Sequence, residues 1–177
     1  MTSSIEHPTP KKMVFIGGGH SHVIALKRLL KYDLSEVQII LISSARVTPY
    51  SGMLPGLIAR HYSYDEVHID LIRLCRALNV QFIEGQVVGL DLDSRIIYCA
   101  NDFEIGYDLL SIDIGSSPDI KSVSGAETFT QAVKPIDSFL NYWMLLQERV
   151  LAQNADENKL SIAFVGAGAS GVELALA

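Results

Sequence analysis

Cysteine is scarce in this sequence, and the two thiols are poorly placed for chemistry. Cys75 and Cys99 form no CxxC pair and match no metal-ligand spacing. That argues against a local disulfide relay and leaves two buried or half-buried thiols of a reducing cytoplasm. Basic residues are also in short supply, with 14 Lys and Arg against 20 Asp and Glu and a net charge of −6. With no basic block, nothing favours nucleic acid as a partner. No apolar run approaches the ~20 residues of a membrane span, since the apolar stretch 162–177 is interrupted by glycines and Glu173. The polar start MTSSIEHPTPKK, with two prolines, reads as a loose tail over 1–11 rather than a signal peptide. What remains is 177 residues, 49% apolar and 19% charged. That composition builds a core of one domain, or one and a fraction.

Glycine is concentrated where it matters. Met13–Ile16 is an apolar run of strand length, followed by Gly17, Gly18 and Gly19 and then by a helical pattern over Val23–Leu30. A strand, a glycine turn and a helix are how a nucleotide pyrophosphate is held. The first glycine permits the tight turn, the second lets phosphate oxygens reach the backbone, and the helix N-terminus supplies N–H groups and partial positive charge. The match is imperfect, because His22 stands where the third glycine belongs. Ala163–Glu173 repeats the pattern with Gly166, Gly168 and Gly171 in place. Two such turns, about 150 residues apart, are the main pointer to function.

Between the turns the reading is an α/β fold. Val37–Ile42 is a parallel strand covered on both faces, completing a βαβ unit. Its end carries Ser43 and Ser44 instead of the acid that usually bonds a ribose; a serine hydroxyl can take that role, or the pair is simply loop. Ala45–Gly56 reads as a long loop, with Arg46 a candidate phosphate or carboxylate partner or else a solvated charge. Leu57–Tyr62 reads as a helical turn. Tyr64–Leu78 reads as one amphipathic helix, opened by a Ser63/Glu66 capping box, with Val67, Leu71, Leu74 and Leu78 on one face. Val80–Glu84 is a strand. Gln86–Leu90, Arg95–Ala100 and Glu104–Tyr107 follow at the close spacing of an antiparallel meander. Leu109–Asp113 is expected as a buried strand, ending in a Gly115–Ser116 turn of the kind that binds ligands in open α/β sheets. After irregular chain over 119–130, Ile136–Leu151 is a helix whose one face carries Phe139, Trp143, Leu146 and Val150. The polar stretch 153–159 is a linker, and Leu160–Val165 is the strand before the second turn.

His20 and His22 form an HxH without a further ligand, so no metal is expected and the default is a phosphate-facing or solvent-facing histidine. His61 and His68 likewise lack a ligand set. Asp113, near the expected phosphates, reads as a strand-end carboxylate capping local N–H groups, since an unpaired charge there is costly.

IGGGHSHV (Ile16–Val23), TPYSGMLPGLIARHYSYDEVHIDL (Thr48–Leu71), YDLLSIDIGSSP (Tyr107–Pro118) and VKPIDSFL (Val133–Leu140) together resemble the N-terminal part of a two-dinucleotide-binding flavoprotein of the pyridine nucleotide-disulfide oxidoreductase superfamily. Within it they resemble the NADH dehydrogenase-like proteins often joined to selenide, water dikinase. The resemblance runs from about Lys12 to the end. It implies a Rossmann-like FAD-binding domain with a parallel sheet and an antiparallel β-meander over 12–152, and the start of a second Rossmann-like unit for NAD(P)H over 160–177. It places Gly17 and Gly19 on the FAD pyrophosphate, Val87 or Val88 on the adenine through backbone contacts, Gly115 and Ser116 beside the FAD phosphates, and the loop Pro49–Pro55 near the flavin ring. Gly166, Gly168 and Gly171 fall on the NAD(P)H pyrophosphate and Glu173 near the nicotinamide.

The expected function is therefore an FAD-dependent oxidoreductase, or an N-terminal portion of one. Hydride would pass from NAD(P)H through FAD to an acceptor such as a quinone, with no protein nucleophile. Residues 166–177 are too few for the further strands of a second nucleotide unit, so little turnover and some self-association are expected of this chain alone. The expected location is the cytoplasm, or the periphery of the inner membrane face. A non-catalytic FAD or nucleotide-binding module is the alternative. A plain NAD domain is disfavoured, because the meander replaces a further βαβ step.

Overall fold

The computed structural model describes residues 9–152 and 160–177; most of the tail and the whole of the expected linker lie outside them. The chain divides into two compact units. One takes the residues up to Thr48 together with His68–Gly115, and the other takes Pro49–Val67 with Ser116–Ala177.

The first unit is built on four parallel strands. β1 (Lys11–Ile16) leads through the glycine turn into α1 (His20–Leu29), and β2 (Val37–Ser43) returns beside β1. β5 (Gln81–Glu84) flanks β2, and β9 (Leu109–Ile112) flanks β1, giving the order β5-β2-β1-β9. Alternation along the strands sorts the core onto two faces. Val14, Ile16, Ile40 and Ile42 pack with Ile97, Cys99 and Ile105 of the meander. Phe15 and Leu41 pack on the other face with Val23 and Leu26 of α1 and with Leu71 and Cys75 of α4 (Leu71–Ala77). The unit is thus a helical layer, a parallel sheet and a meander of β6 (Val87–Asp91), β7 (Ile96–Cys99) and β8 (Glu104–Gly106), paired antiparallel as expected.

The single helix expected over Tyr64–Leu78 is instead two. α3 (Tyr64–Val67) stops, β4 (His68–Asp70) pairs with β3 (Val47–Pro49), and α4 begins afresh. The cause is a second N-cap. The Asp70 side chain accepts from the Arg73 N–H at 2.8 Å, which starts a new helix after an extended residue. The Glu66 side of the expected capping box is in place: Glu66 accepts from both the N–H and the hydroxyl of Ser63, each at 2.8 Å. β9 is not buried. It is an edge strand, with Leu110 on the meander core and Leu109 and Ile112 about half exposed.

In the second unit, the long loop read over Ala45–Gly56 proves partly regular. A 3-10 turn at Ser51–Met53 runs into α2 (Leu54–Ile58), whose first turn holds Pro55, where a missing N–H costs nothing. α5 (Ala126–Phe129) adds a helical turn where irregular chain was expected. α6 (Ile136–Ala152) forms as read, with Phe139, Trp143 and Leu146 partly buried and Val150 exposed. Leu54, Leu140 and Leu174 make the buried cluster of this unit, Leu174 coming from α7 (Ala169–Leu176). Leu160–Val165 is exposed and carries no strand pairing, in contrast to the expected strand. A strand needs a ladder partner, and none of the described strands pairs with it.

Candidate functional site

The first glycine turn lies at the carboxyl end of the parallel sheet. β1 is held there by hydrogen bonds on both sides: Gly17 N–H donates to the Ile42 carbonyl at 2.7 Å, and Asp113 N–H donates to the Ile16 carbonyl at 2.8 Å. Gly17 then turns with φ +93°, a conformation that an L side chain rarely adopts, and a Cβ there would press into the Asp113 backbone. Gly19 is the N-cap of α1 and has no side chain to offer its N–H groups. That gap is closed from the residue just after β9: Ser21 N–H donates to the Asp113 carboxylate at 3.1 Å. The capping role read for Asp113 is what the geometry shows. A Cβ on Gly19 would run into this same carboxylate.

His22 corrects an expectation. It faces neither phosphate nor solvent but is 3% exposed. Its Nδ1 lies 2.7 Å from the Gly17 carbonyl and its Nε2 lies 2.9 Å from the Ser111 hydroxyl. A carbonyl only accepts, so Nδ1 carries the hydrogen, and in the neutral ring Nε2 accepts from Ser111. The ring also meets Phe15 edge-on at a centroid distance of 4.9 Å. His20, the first residue of α1, is exposed. No group of three His, Cys, Asp or Glu side chains that could hold a metal occurs among the described residues.

The neighbouring strand ends carry the other candidates of the first unit. Ser43 is buried, and its hydroxyl accepts from the Ala45 N–H at 3.3 Å, so it serves the local turn; Ser44 is exposed. Arg46 is neither loose nor aimed at empty space: its Nε donates to Glu84 at 2.7 Å. Glu84 was missed by sequence reasoning. It is the register partner of Ser43, so the acid absent from the end of β2 stands at the end of β5. The signal was present, since a parallel Val80–Glu84 strand puts its last residue at the carboxyl edge. Val87 is partly buried and Val88 exposed, and the β6–β7 register skips Val88, which leaves an irregularity in the ladder there. Gly115 closes the unit at φ +76°.

In the second unit, Lys134 Nζ donates to the Ser116 hydroxyl at 3.4 Å. The second glycine turn matches the first in backbone shape. Gly166 has φ +105°, as Gly17 has φ +93°. Gly168 caps α7 at φ −70°, ψ 164°, as Gly19 caps α1 at φ −62°, ψ 162°. Gly171 packs its backbone against the Gly166 carbonyl, so closely that a Cβ would collide. In the first turn the equivalent carbonyl, that of Gly17, is met by the His22 ring instead. Glu173 is exposed on α7.

The family profile for pyridine nucleotide-disulphide oxidoreductases matches residues 11–177. The chain belongs to the pyridine nucleotide-disulphide oxidoreductase family. It is 32% identical over 170 residues to the NADH dehydrogenase-like protein YutJ of Bacillus subtilis, covering 93% of this chain and 44% of that protein. The chain thus spans less than half the length of this relative. In fold it resembles the sulfide:quinone oxidoreductase of Aquifex aeolicus, with a TM-score of 0.67 at 23% identity over 80% of this chain and 33% of that one. It also resembles the NADH:rubredoxin oxidoreductase of Clostridium acetobutylicum, with a TM-score of 0.63 at 20% identity over 94% and 41%.

As a member of the pyridine nucleotide-disulphide oxidoreductase family, the chain has no cysteine pair for thiol chemistry. Cys75 and Cys99 are free, buried, and packed in clusters on opposite faces of the parallel sheet. Burial pushes the Cys75 thiol up to about 11 and raises that of Cys99, so both stay protonated near neutral pH. Among the described residues, no helix is long and apolar enough to cross a membrane.

Proposed function

We propose that this chain is the dinucleotide-binding portion of an FAD-dependent NAD(P)H oxidoreductase. The observation that carries the proposal is the pair of glycine turns with matching backbone shape, each opening a helix. Gly17, Gly19 and the N-terminus of α1 would hold the FAD pyrophosphate, with exposed His20 at its side. The turn fits the group in backbone shape: Gly17 turns at φ +93°, and Gly19, the N-cap of α1, has no side chain of its own to cover the helix N–H groups. Ser43, Ser44, Arg46 and Glu84 line the strand ends where the adenosine ribose would lie. The ladder irregularity at Val88 supports backbone contacts from Val87 or Val88 to the adenine. Gly115 and Ser116 would stand by the FAD phosphates. Gly166, Gly168 and Gly171 would take the NAD(P)H pyrophosphate, with Glu173 near the nicotinamide.

When bound, the flavin supplies the two-electron chemistry, and the protein supplies binding and orientation. The relatives named for NADH support a nicotinamide donor, and the one named for quinone supports a quinone as acceptor. A quinone acceptor would place the protein at the periphery of the inner membrane face rather than free in the cytoplasm. Residues 12–152 would form the FAD domain and 160–177 the opening of the NAD(P)H domain. Apolar side chains as exposed as Phe129 (86%) and Val165 (88%) support self-association of the isolated chain.

Purification tests the proposal directly. The chain should be yellow, or become so on reconstitution with FAD, and NADH added anaerobically should bleach its flavin only slowly or in part. Colourless protein that takes up no FAD overturns the reading. Flavin that binds but never bleaches with NADH or NADPH leaves only a binding module.

A further inference from the structure

We propose that Asp113 is a built-in competitor for the pyrophosphate at the first glycine turn, holding the anion position until a dinucleotide displaces it. The proposal rests on the reading of that turn as an FAD site. Three observations carry it. The Asp113 carboxylate fills the space over Gly19 in which a side chain is missing. It accepts from the Ser21 N–H, one of the N–H groups that a helix start leaves for an incoming anion. It is fixed in place through its own backbone, since Asp113 N–H donates to Ile16 and Gly19 N–H donates to the Asp113 carbonyl at 3.3 Å.

The physics follows from charge and geometry. Gly19 cannot cap α1 itself, so without a ligand the helix N-terminus would present unsatisfied donors. Asp113, just beyond the end of β9, supplies the missing acceptor and keeps the turn in shape. A pyrophosphate placed on the same donors would lie within a few ångströms of this carboxylate. Repulsion between like charges at that distance is worth tenfold or more in affinity. Cofactor entry therefore requires the Asp113 side chain to leave Gly19, and the chain trades cofactor affinity for a turn that is formed in the ligand-free state.

This role has a signature that no simpler one shares. A purely structural Asp113 would lower both stability and FAD affinity when removed. A direct cofactor contact would lower affinity alone. A competitor raises affinity when its charge is removed. The test compares the chain with Asp113→Asn, which keeps an acceptor but no charge, and Asp113→Ala, which keeps neither. FAD dissociation constants are read by flavin fluorescence and ligand-free stability by thermal melting.

Asp113→Asn should bind FAD about tenfold tighter with a nearly unchanged melting temperature. Asp113→Ala should also bind tighter, while its ligand-free melting temperature drops by about 2–5 °C. Unchanged or weaker FAD binding by Asp113→Asn overturns the proposal. If no form binds FAD, inorganic pyrophosphate separates the two failures. Stronger thermal protection of the variants than of the unmodified chain upholds the competitor and rejects the FAD reading. Equal or absent protection rejects both.

Discussion

His22 binds the carbonyl of Gly17 at 2.7 Å, the very group that a third glycine would approach with its backbone. The second turn shows the alternative, with Gly171 pressed against the Gly166 carbonyl. One chain thus solves the same packing problem twice, by closeness in one turn and by a side-chain hydrogen bond in the other. The histidine gains an anchor to β9 through Ser111, which glycine cannot provide. His22→Ala should lose both hydrogen bonds and the edge contact with Phe15, and leave a cavity beneath the turn. A loss of about 2–4 kcal/mol is expected in urea unfolding, together with weaker FAD retention. Stability within about 0.5 kcal/mol of the unmodified chain would show that the anchor is dispensable.

Gly17 and Gly115 both have positive φ, but only one is crowded. A Cβ on Gly17 meets the Asp113 backbone, whereas a Cβ on Gly115 meets nothing within 4 Å. Gly115→Ala should therefore cost only the left-handed backbone penalty, about 1–2 kcal/mol. Gly17→Ala adds a clash with backbone that cannot yield, and should lose FAD binding as well. Equal melting temperatures for the two variants would refute the distinction.

The Arg46–Glu84 pair lies at the strand ends with side chains 64% and 46% exposed. An ion pair so open to solvent contributes under about 1 kcal/mol, and Glu84→Gln should scarcely move the unfolding midpoint. Its FAD affinity should fall roughly tenfold if Glu84 replaces the ribose acid missing from β2. Flavin titration of this variant decides the matter: unchanged affinity returns Glu84 to an ordinary surface role.

Local signals were legible where one segment decides its own structure. The GGG run, the meander turns and the extent of α6 could all be read from pattern, although Val150 of its expected face is exposed and Leu140 is the buried residue. What escaped depends on distant pairing. The fate of His22 depends on Ser111 and Gly17, which meet only because β9 lies beside β1. Glu84 gains its place from the parallel β2–β5 register. The break at His68–Asp70 is masked by helical spacing that continues across it, and its one local signal is the Asp70 cap. Leu160–Val165 has strand composition but no ladder, and composition cannot report a partner.

Asp108 works at the opposite edge of the same sheet and gives a pH prediction. Its carboxylate accepts from the Lys12 N–H at 2.8 Å and lies 3.4 Å from Lys11 Nζ. The Lys12 N–H, and after it the Lys11 charge, hold the carboxyl below the usual aspartate value of 3.8. Asp33, Glu66 and Asp91 are lowered in the same way, by hydrogen bonds from nearby serines. A depressed carboxylate contributes stability that is complete above its unfolded pKa and is lost as pH falls through the folded one. The melting temperature should therefore decline on acidification below about pH 5. Asp108→Asn should melt lower than the unmodified chain at neutral pH and converge with it in acid, since Asn keeps an acceptor but cannot titrate. The β1 and β9 starts that it joins are far along the strands from the glycine turn, so FAD affinity should not change. A constant gap between the two melting curves across the acid range would mean that Asp108 acts through packing rather than charge.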